Sequence, residues 1–91
     1  MSNDHLEYNA ETRTVTGWTN PVLCAAFVIR SVGLVLDEEE FKRVAEEVGE
    51  WDKAKNEGFI FQTPEEALLT LTEIGNFTIY IDSTGVFRCH A

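Results

Sequence analysis

The stretch "TNPVLCAAFVIRSVG", Thr19 to Gly33, limits what this chain can fold into more than any other. From Pro21 to Ile29 it carries no charge, amide or hydroxyl, so no side of it is suited to water. The other elements must close around it. Asn20 is a fitting N-cap, Pro21 suits the first helical position and Gly33 suits a stop. A buried strand over Val22 to Ile29 is the competing reading, because periodicity cannot separate two fully buried elements. The length of the run and the Asn-Pro start favour a central helix.

"DEEEFKRVAEEVGEWD", Asp37 to Asp52, carries the clearest helical pattern. "LVL" at Leu34 to Leu36 leads into Asp37, a good N-cap. At about 100° per residue Phe41, Val44, Ala45, Val48 and Trp51 share one face, and Glu39, Glu40, Glu46, Glu47 and Glu50 share the opposite one. The pattern predicts a helix running to Trp51, with "DKAKNEG" leading into a loop at Gly58. "TPEEALLTLTEIGN" predicts another helix: Thr63 and Glu66 form a capping box, Pro64 sits at the first position and Gly75 supplies the stop. Its inner face is Ala67, Leu68, Leu71 and Ile74.

Short β-like runs surround these helices. "LEYN" and "RTVTGW", separated by "AET", read as an N-terminal hairpin, and "FIFQ" as a short strand. "NFTIYID" alternates Phe77, Ile79 and Ile81 against Thr78, Tyr80 and Asp82, and "STG" turns it into "VFRCHA", a C-terminal hairpin. The order is ββααβαββ: an α+β fold in which antiparallel hairpins pack with two to three helices. No internal repeat or linker divides the chain, so residues 1–91 read as one acidic domain.

Composition narrows the function. The chain is 44% hydrophobic and so has the means to bury a core, roughly two thirds of its unfolded surface at this length. Sixteen acidic against seven basic side chains leave a formal charge of −9. That excludes a general nucleic-acid binder, which needs clustered Lys and Arg, and an anionic membrane surface as a target. "MSNDHLEYN" has neither a basic nor an apolar signal region, and the longest apolar run is far short of the ~20 residues that span a bilayer. The expected location is the cytoplasm, a host cytoplasm if the chain is phage-encoded. There Cys24 and Cys89 are expected as free thiols, with a disulfide between them as the alternative.

The motifs of chemistry are missing. The soft ligands Cys24, Cys89, His5 and His90 lack paired metal spacing, and Cys89 and His90 point to opposite faces of a strand, so neither a metal nor a cofactor is expected. A Cys–His dyad is disfavoured by the acidic surroundings, which raise a thiol pKa. There is no nucleophile elbow, P-loop or dinucleotide fingerprint. The carboxylates of the 37–52 helix sit on its wet side, where neighbours simply ionise together and do not divide acid and base roles. The expectation is a protein that is not an enzyme.

What remains is the acidic face. Glu38–Lys42 and Glu39–Arg43 are i, i+4 pairs worth ~0.3 kcal/mol each, and Asp37 to Glu40 suit the positive end of the helix dipole. Glu46, Glu47 and Glu50 lie toward the negative end, with Arg43 alone to balance the outer face. Glu39, Glu46 and Glu50 form a stripe rising about 10.5 Å and then about 6 Å along the axis. The expected partner-binding set is Glu39, Glu40, Glu46, Glu47, Glu50, Trp51 and Asp52, with Trp51, Trp18 or Tyr80 as apolar anchor. The expected partner is a basic, nucleic-acid-handling protein, bound by a monomer or a homodimer. In size, charge and lack of a catalytic motif the chain is similar to small acidic phage proteins that block host defence, including anti-CRISPR proteins and DNA mimics; that likeness carries over no residue. An immunity protein against a basic nuclease toxin is a close alternative. A small ligand-binding domain or enzyme, with a pocket near Arg30, Tyr80, Cys89 and His90, is a more distant one. A subunit dimerising through a hairpin edge is the third.

Overall fold

The structure, a computed structural model, describes residues 7–9, 11–16, 18, 20–50 and 59–91. Its elements run β1 (Glu7–Asn9), β2 (Thr14–Thr16), α1 (Pro21–Ser31), α2 (Glu38–Val48), β3 (Phe59–Ile60), α3 (Pro64–Gly75), β4 (Thr78–Ile81) and β5 (Phe87–His90). The order is the ββααβαββ read from the sequence, and the class is α+β.

The apolar run is a helix, α1, and it lies at the centre, packed by α2 and α3. Pro21, Val22, Cys24, Ala25, Ala26, Val28 and Ile29 are buried, and Leu23 and Phe27 pack against the same cluster. Asn20 caps it: its Oδ1 accepts from the N–H of Val22 at 2.9 Å and of Leu23 at 3.2 Å. The other end closes as a Schellman motif, with Gly33 at φ 81°, its N–H on Arg30 O and the N–H of Leu34 on Ile29 O.

Asn20 also holds a second helix. Its Nδ2 donates to Ala45 O and to Gly49 O, each at 2.9 Å. One buried amide thus starts α1, where the N–H groups of Val22 and Leu23 have no partner within the helix, and ties down the end of α2 at Ala45 O and Gly49 O. Helix α2 begins at Asp37, whose Oδ1 accepts from Glu40 N–H at 3.1 Å, and buries Phe41, Val44 and Ala45, with Val48 half-buried. It does not reach Trp51. Gly49 ends it in an extended conformation of positive φ, at φ 81° and ψ −177°, with its N–H on Ala45 O. A glycine adopts that conformation without the Cβ clash that other residues meet there.

Helix α3 follows its caps closely. Thr63 Oγ1 accepts from Glu66 N–H at 3.1 Å, while the Glu66 carboxylate reaches back to Gln62 N–H. The helix ends at Asn76, in the left-handed region at φ 57°. Gly75, expected as the stop, instead serves close packing: a Cβ there would lie 2.7 Å from the Phe77 ring and 2.9 Å from Pro21 Cγ. Ala67 and Leu71 are buried, whereas Leu68 and Ile74 are half-buried.

Two antiparallel sheets sit on the helices. In the first, order β1-β2-β3, Glu7 faces Thr16 and Thr14 faces Ile60, so the short strand joins the N-terminal hairpin. In the second, β4 pairs with β5 from Thr78↔His90 to Ile81↔Phe87. The link between α1 and α2 lies beside β5, with Phe87 N–H on Val35 O and Asp37 N–H on Phe87 O, both at 2.9 Å. Ile81, expected on the buried side of β4, is 58% exposed: its face is covered only as far as Ile79.

Candidate functional site

The carboxylates around α2 divide into two sets. The first set is engaged. Glu38 meets Arg30 at 3.0 Å. Glu40 meets Arg88 through Nε at 2.9 Å and Nη2 at 3.3 Å, and accepts Cys89 N–H at 3.2 Å. Arg43 adds a contact to Glu40 at 3.5 Å. Arg88 also lies 3.6 Å from Asp37 and 3.7 Å from Asp82, so one guanidinium gathers three carboxylates from α2's start, its first turn and the hairpin turn. The Arg88 hydrogen bond holds the Glu40 carboxyl below its ordinary range, with Cys89 N–H acting in the same direction against partial burial. Asp82 is pulled down to about 2, chiefly by the Thr84 hydroxyl and then by Val86 N–H.

Glu40 is therefore misplaced in the predicted outer face. It lies only about 40° from Val44 around the helix, and its side chain is 13% exposed because β5 packs over that flank. The expected pairs Glu38–Lys42 and Glu39–Arg43 also give way: Glu38 turns to Arg30 and Arg43 to Glu40.

The second set is Glu39, Glu46 and Glu47. All three are exposed, and none forms an ion pair among the described residues. Glu50 lies past the helix end at Gly49, so the straight helical stripe Glu39–Glu46–Glu50 does not exist; Glu46 and Glu50 instead border a cleft of about 490 Å³ beside Asn20 and Leu23. Trp51 and Asp52 lie outside the described residues, as do Lys53 and Lys55. Trp18 is buried in the core at 3% exposure and cannot serve as a surface anchor, while Tyr80 is 42% exposed.

A second surface lies on the far edge of the C-terminal hairpin. A groove of about 520 Å³ runs between α3 (Leu68, Leu69, Thr72) and β4 (Ile79, Tyr80, Ile81), with Glu65 as its charged residue. Of the polar pocket residues expected from the sequence, only Tyr80 lines it. Arg30, on α1, pairs with Glu38 of α2, and Cys89 is buried with Sγ 3.9 Å from Glu40 O. His90 is exposed, its ring 5.9 Å from that of Tyr80. The four do not converge, because α1 and β5 point them to different sides. Both cysteines are free and buried. Burial pushes Cys24 up to about 12, and burial with Glu40 nearby pushes Cys89 up to about 11, so both stay protonated and unreactive at neutral pH. Among the described residues no three His, Cys, Asp or Glu gather as a metal site, and no helix is long and apolar enough to cross a membrane.

Sequence patterning missed Arg88 as the hub of the charge network and Leu69 as a groove wall. Nothing local to "FRCH" signals that its arginine meets residues far away in the chain. Leu69 was legible as the apolar residue outside α3's inner stripe. The chain is significantly similar to no protein-family model, no curated protein and no solved structure.

Proposed function

We propose that this chain is a non-enzymatic interaction protein that docks the outer face of α2 on a basic surface of another protein. One observation carries the reading: Glu39, Glu46 and Glu47 are left exposed and without an ion pair among the described residues, on the helix whose Glu38 and Glu40 each meet an arginine. Glu46 and Glu47 also stand near the negative end of the helix dipole, where helix stability favours cations. Anions retained there speed encounter with a positive surface and restrict which partners fit. The finer form of the reading is a stoichiometric inhibitor of a nucleic-acid-handling protein, of the counter-defence or immunity kind.

The test is charge reversal, Glu39→Lys with Glu46→Lys and Glu47→Lys. The variant should fold with a melting temperature close to that of the unaltered protein, because cations at positions 46 and 47 suit the negative end of α2 and offset the cation at position 39 near its positive end. A partner captured from the native host by the unaltered protein should be lost by the variant. Its binding should weaken steeply between about 50 and about 300 mM salt. Equal capture by the two proteins, or binding indifferent to salt, overturns the proposal.

A further inference from the structure

The hairpin has two edges, and only one is closed. In an antiparallel pair successive residues turn their N–H and C=O alternately toward and away from the partner strand. Asp82 N–H donates to Val86 O at 3.0 Å, which fixes the phase. One residue on, Phe87 directs its N–H to Val35 and its C=O to Asp37, away from β4. Cys89 likewise directs its N–H away, to Glu40. Ile81 and Ile79, which face Phe87 and Cys89, must therefore turn their N–H and C=O to the other edge of β4. The sheet ends there, and no hydrogen bond reaches those groups among the described residues.

We propose that this edge is a strand-addition site, taking an extended segment of another protein whose groove-facing residues are apolar at the centre and basic at both ends. The Ile79 and Ile81 main-chain groups, two residues apart, match alternate residues of an added strand. That strand's apolar side chains enter the groove beside β4, against Leu69, 64% exposed, and Ile81, 58% exposed. Apart from its four-residue length, "TIYI" has none of the side chains that usually blunt a free edge: no Lys, no Pro and no charge. The rim sets the sign of the guest. Helix α3 carries Glu65, Glu66 and Glu73 and no Lys or Arg; Glu65 lines the groove, and Glu73 continues the Leu69 stripe one turn on. A basic guest complements that rim. A second copy of this chain, at −9 and with the same acidic α3, repels it. The site lies across the hairpin from α2, since β5 borders α2 and β4 borders α3, so this proposal and the α2 proposal can fail separately.

The probe is a capped synthetic peptide, Lys-Thr-Val-Thr-Val-Thr-Lys, which sets two valines between two lysines on one face, titrated into the isotope-labelled full chain. The amide signals of Ile79 and Ile81 should move most, and their hydrogen exchange should slow at least about tenfold. The same peptide N-methylated on every second residue, in either phase, should lose binding in the phase that faces β4. The same peptide with glutamate in place of both lysines should not bind. Leu69→Lys with Ile81→Lys should weaken binding at least about tenfold, both positions being exposed. Should that pair not fold, Ile81→Thr, which keeps a β-branched strand residue, is read the same way. Glu39→Lys with Glu46→Lys and Glu47→Lys should leave peptide binding in place. Movement confined to α2 overturns the proposal. So does binding that survives N-methylation in both phases, the absence of saturation, or a dimer that already protects Ile79 and Ile81 without peptide.

Discussion

The two strands of the C-terminal hairpin are equally short and sit against helices on opposite sides, yet their outer edges differ. The outer edge of β5 is occupied: Val35 and Asp37 bond Phe87, Glu40 bonds Cys89, and Arg88 ties Asp37, Glu40 and Asp82 together. The outer edge of β4 faces a groove in which α3 approaches without pairing. Covalent connection accounts for the contrast. The α1–α2 link is short and must pass β5, so its backbone lies down as a bridge. Helix α3 runs directly into β4 through Asn76 and Phe77, so it packs beside the strand and offers it no backbone. One side of this small molecule is thus a sealed seam, and the other keeps main-chain groups and apolar side chains for a guest.

The largest effect should come from Asn20, the pin of the sealed side. Asn20→Ala removes the cap of α1 and the tie to Ala45 O and Gly49 O at the end of α2, for an expected loss of about 2–4 kcal/mol in chemical denaturation. Asn20→Asp separates the two roles: it keeps the acceptor for Val22 and Leu23 but sets an anion against Ala45 O and Gly49 O. If Asn20→Asp is as stable as the unaltered protein, the amide does not staple two helices.

A smaller loss, dependent on pH, should follow from Glu40→Gln. The folded Glu40 and Asp82 carboxyls titrate below their unfolded values, so their contribution is present above the ordinary carboxylate range and is lost as pH falls through it. For Asp82 the window runs from about 4, the unfolded value, down to about 2. The unaltered protein should lose stability on acidification through that range. Glu40→Gln should start lower at pH 7 and fall less steeply, as urea midpoints across pH would record. An identical acid slope in the two proteins would remove Glu40 from the seam.

Hydrogen exchange compares the two edges directly. The Phe87 amide, bonded to Val35, should exchange slowly, while Ile79 and Ile81 should be among the fastest amides of the hairpin. Comparable protection at all three would mean that the edges are alike. The smallest effect is expected on the open side itself. Leu69→Lys or Ile81→Lys should change stability by no more than about 0.5 kcal/mol, since both side chains are mostly exposed. A melting temperature lowered by many degrees would show that the groove is sealed core.

Much of this was legible in the chain because the deciding interactions are local. The caps Asn20, Asp37 and Thr63 bond residues two or three positions on, and the stop at Gly33 acts within one turn. Gly49 was a legible stop too; the apolar period reaching Trp51 masked it, and with it went the straight stripe through Glu50. Period-two alternation placed Phe77 and Ile79 inward but could not say how far along β4 the cover extends, so Ile81 was misread. The candidate face was half legible: Glu39, Glu46 and Glu47 are exposed as expected, while Glu40 is claimed by a strand that arrives from the far end of the chain.

What the amino-acid order alone determined, then, is where the three described helices begin and that the run from Pro21 to Ile29 must be surrounded; capping bonds and apolar runs act over a few residues. What only the tertiary structure decided is which carboxylates keep their charge for the solvent and which edge of the hairpin stays open. Arg88 meets Glu40, Phe59–Ile60 joins the N-terminal hairpin and Val35 closes β5, all across separations for which the sequence carries no spacing rule. Those outcomes depend on how three helices and two sheets settle around one core.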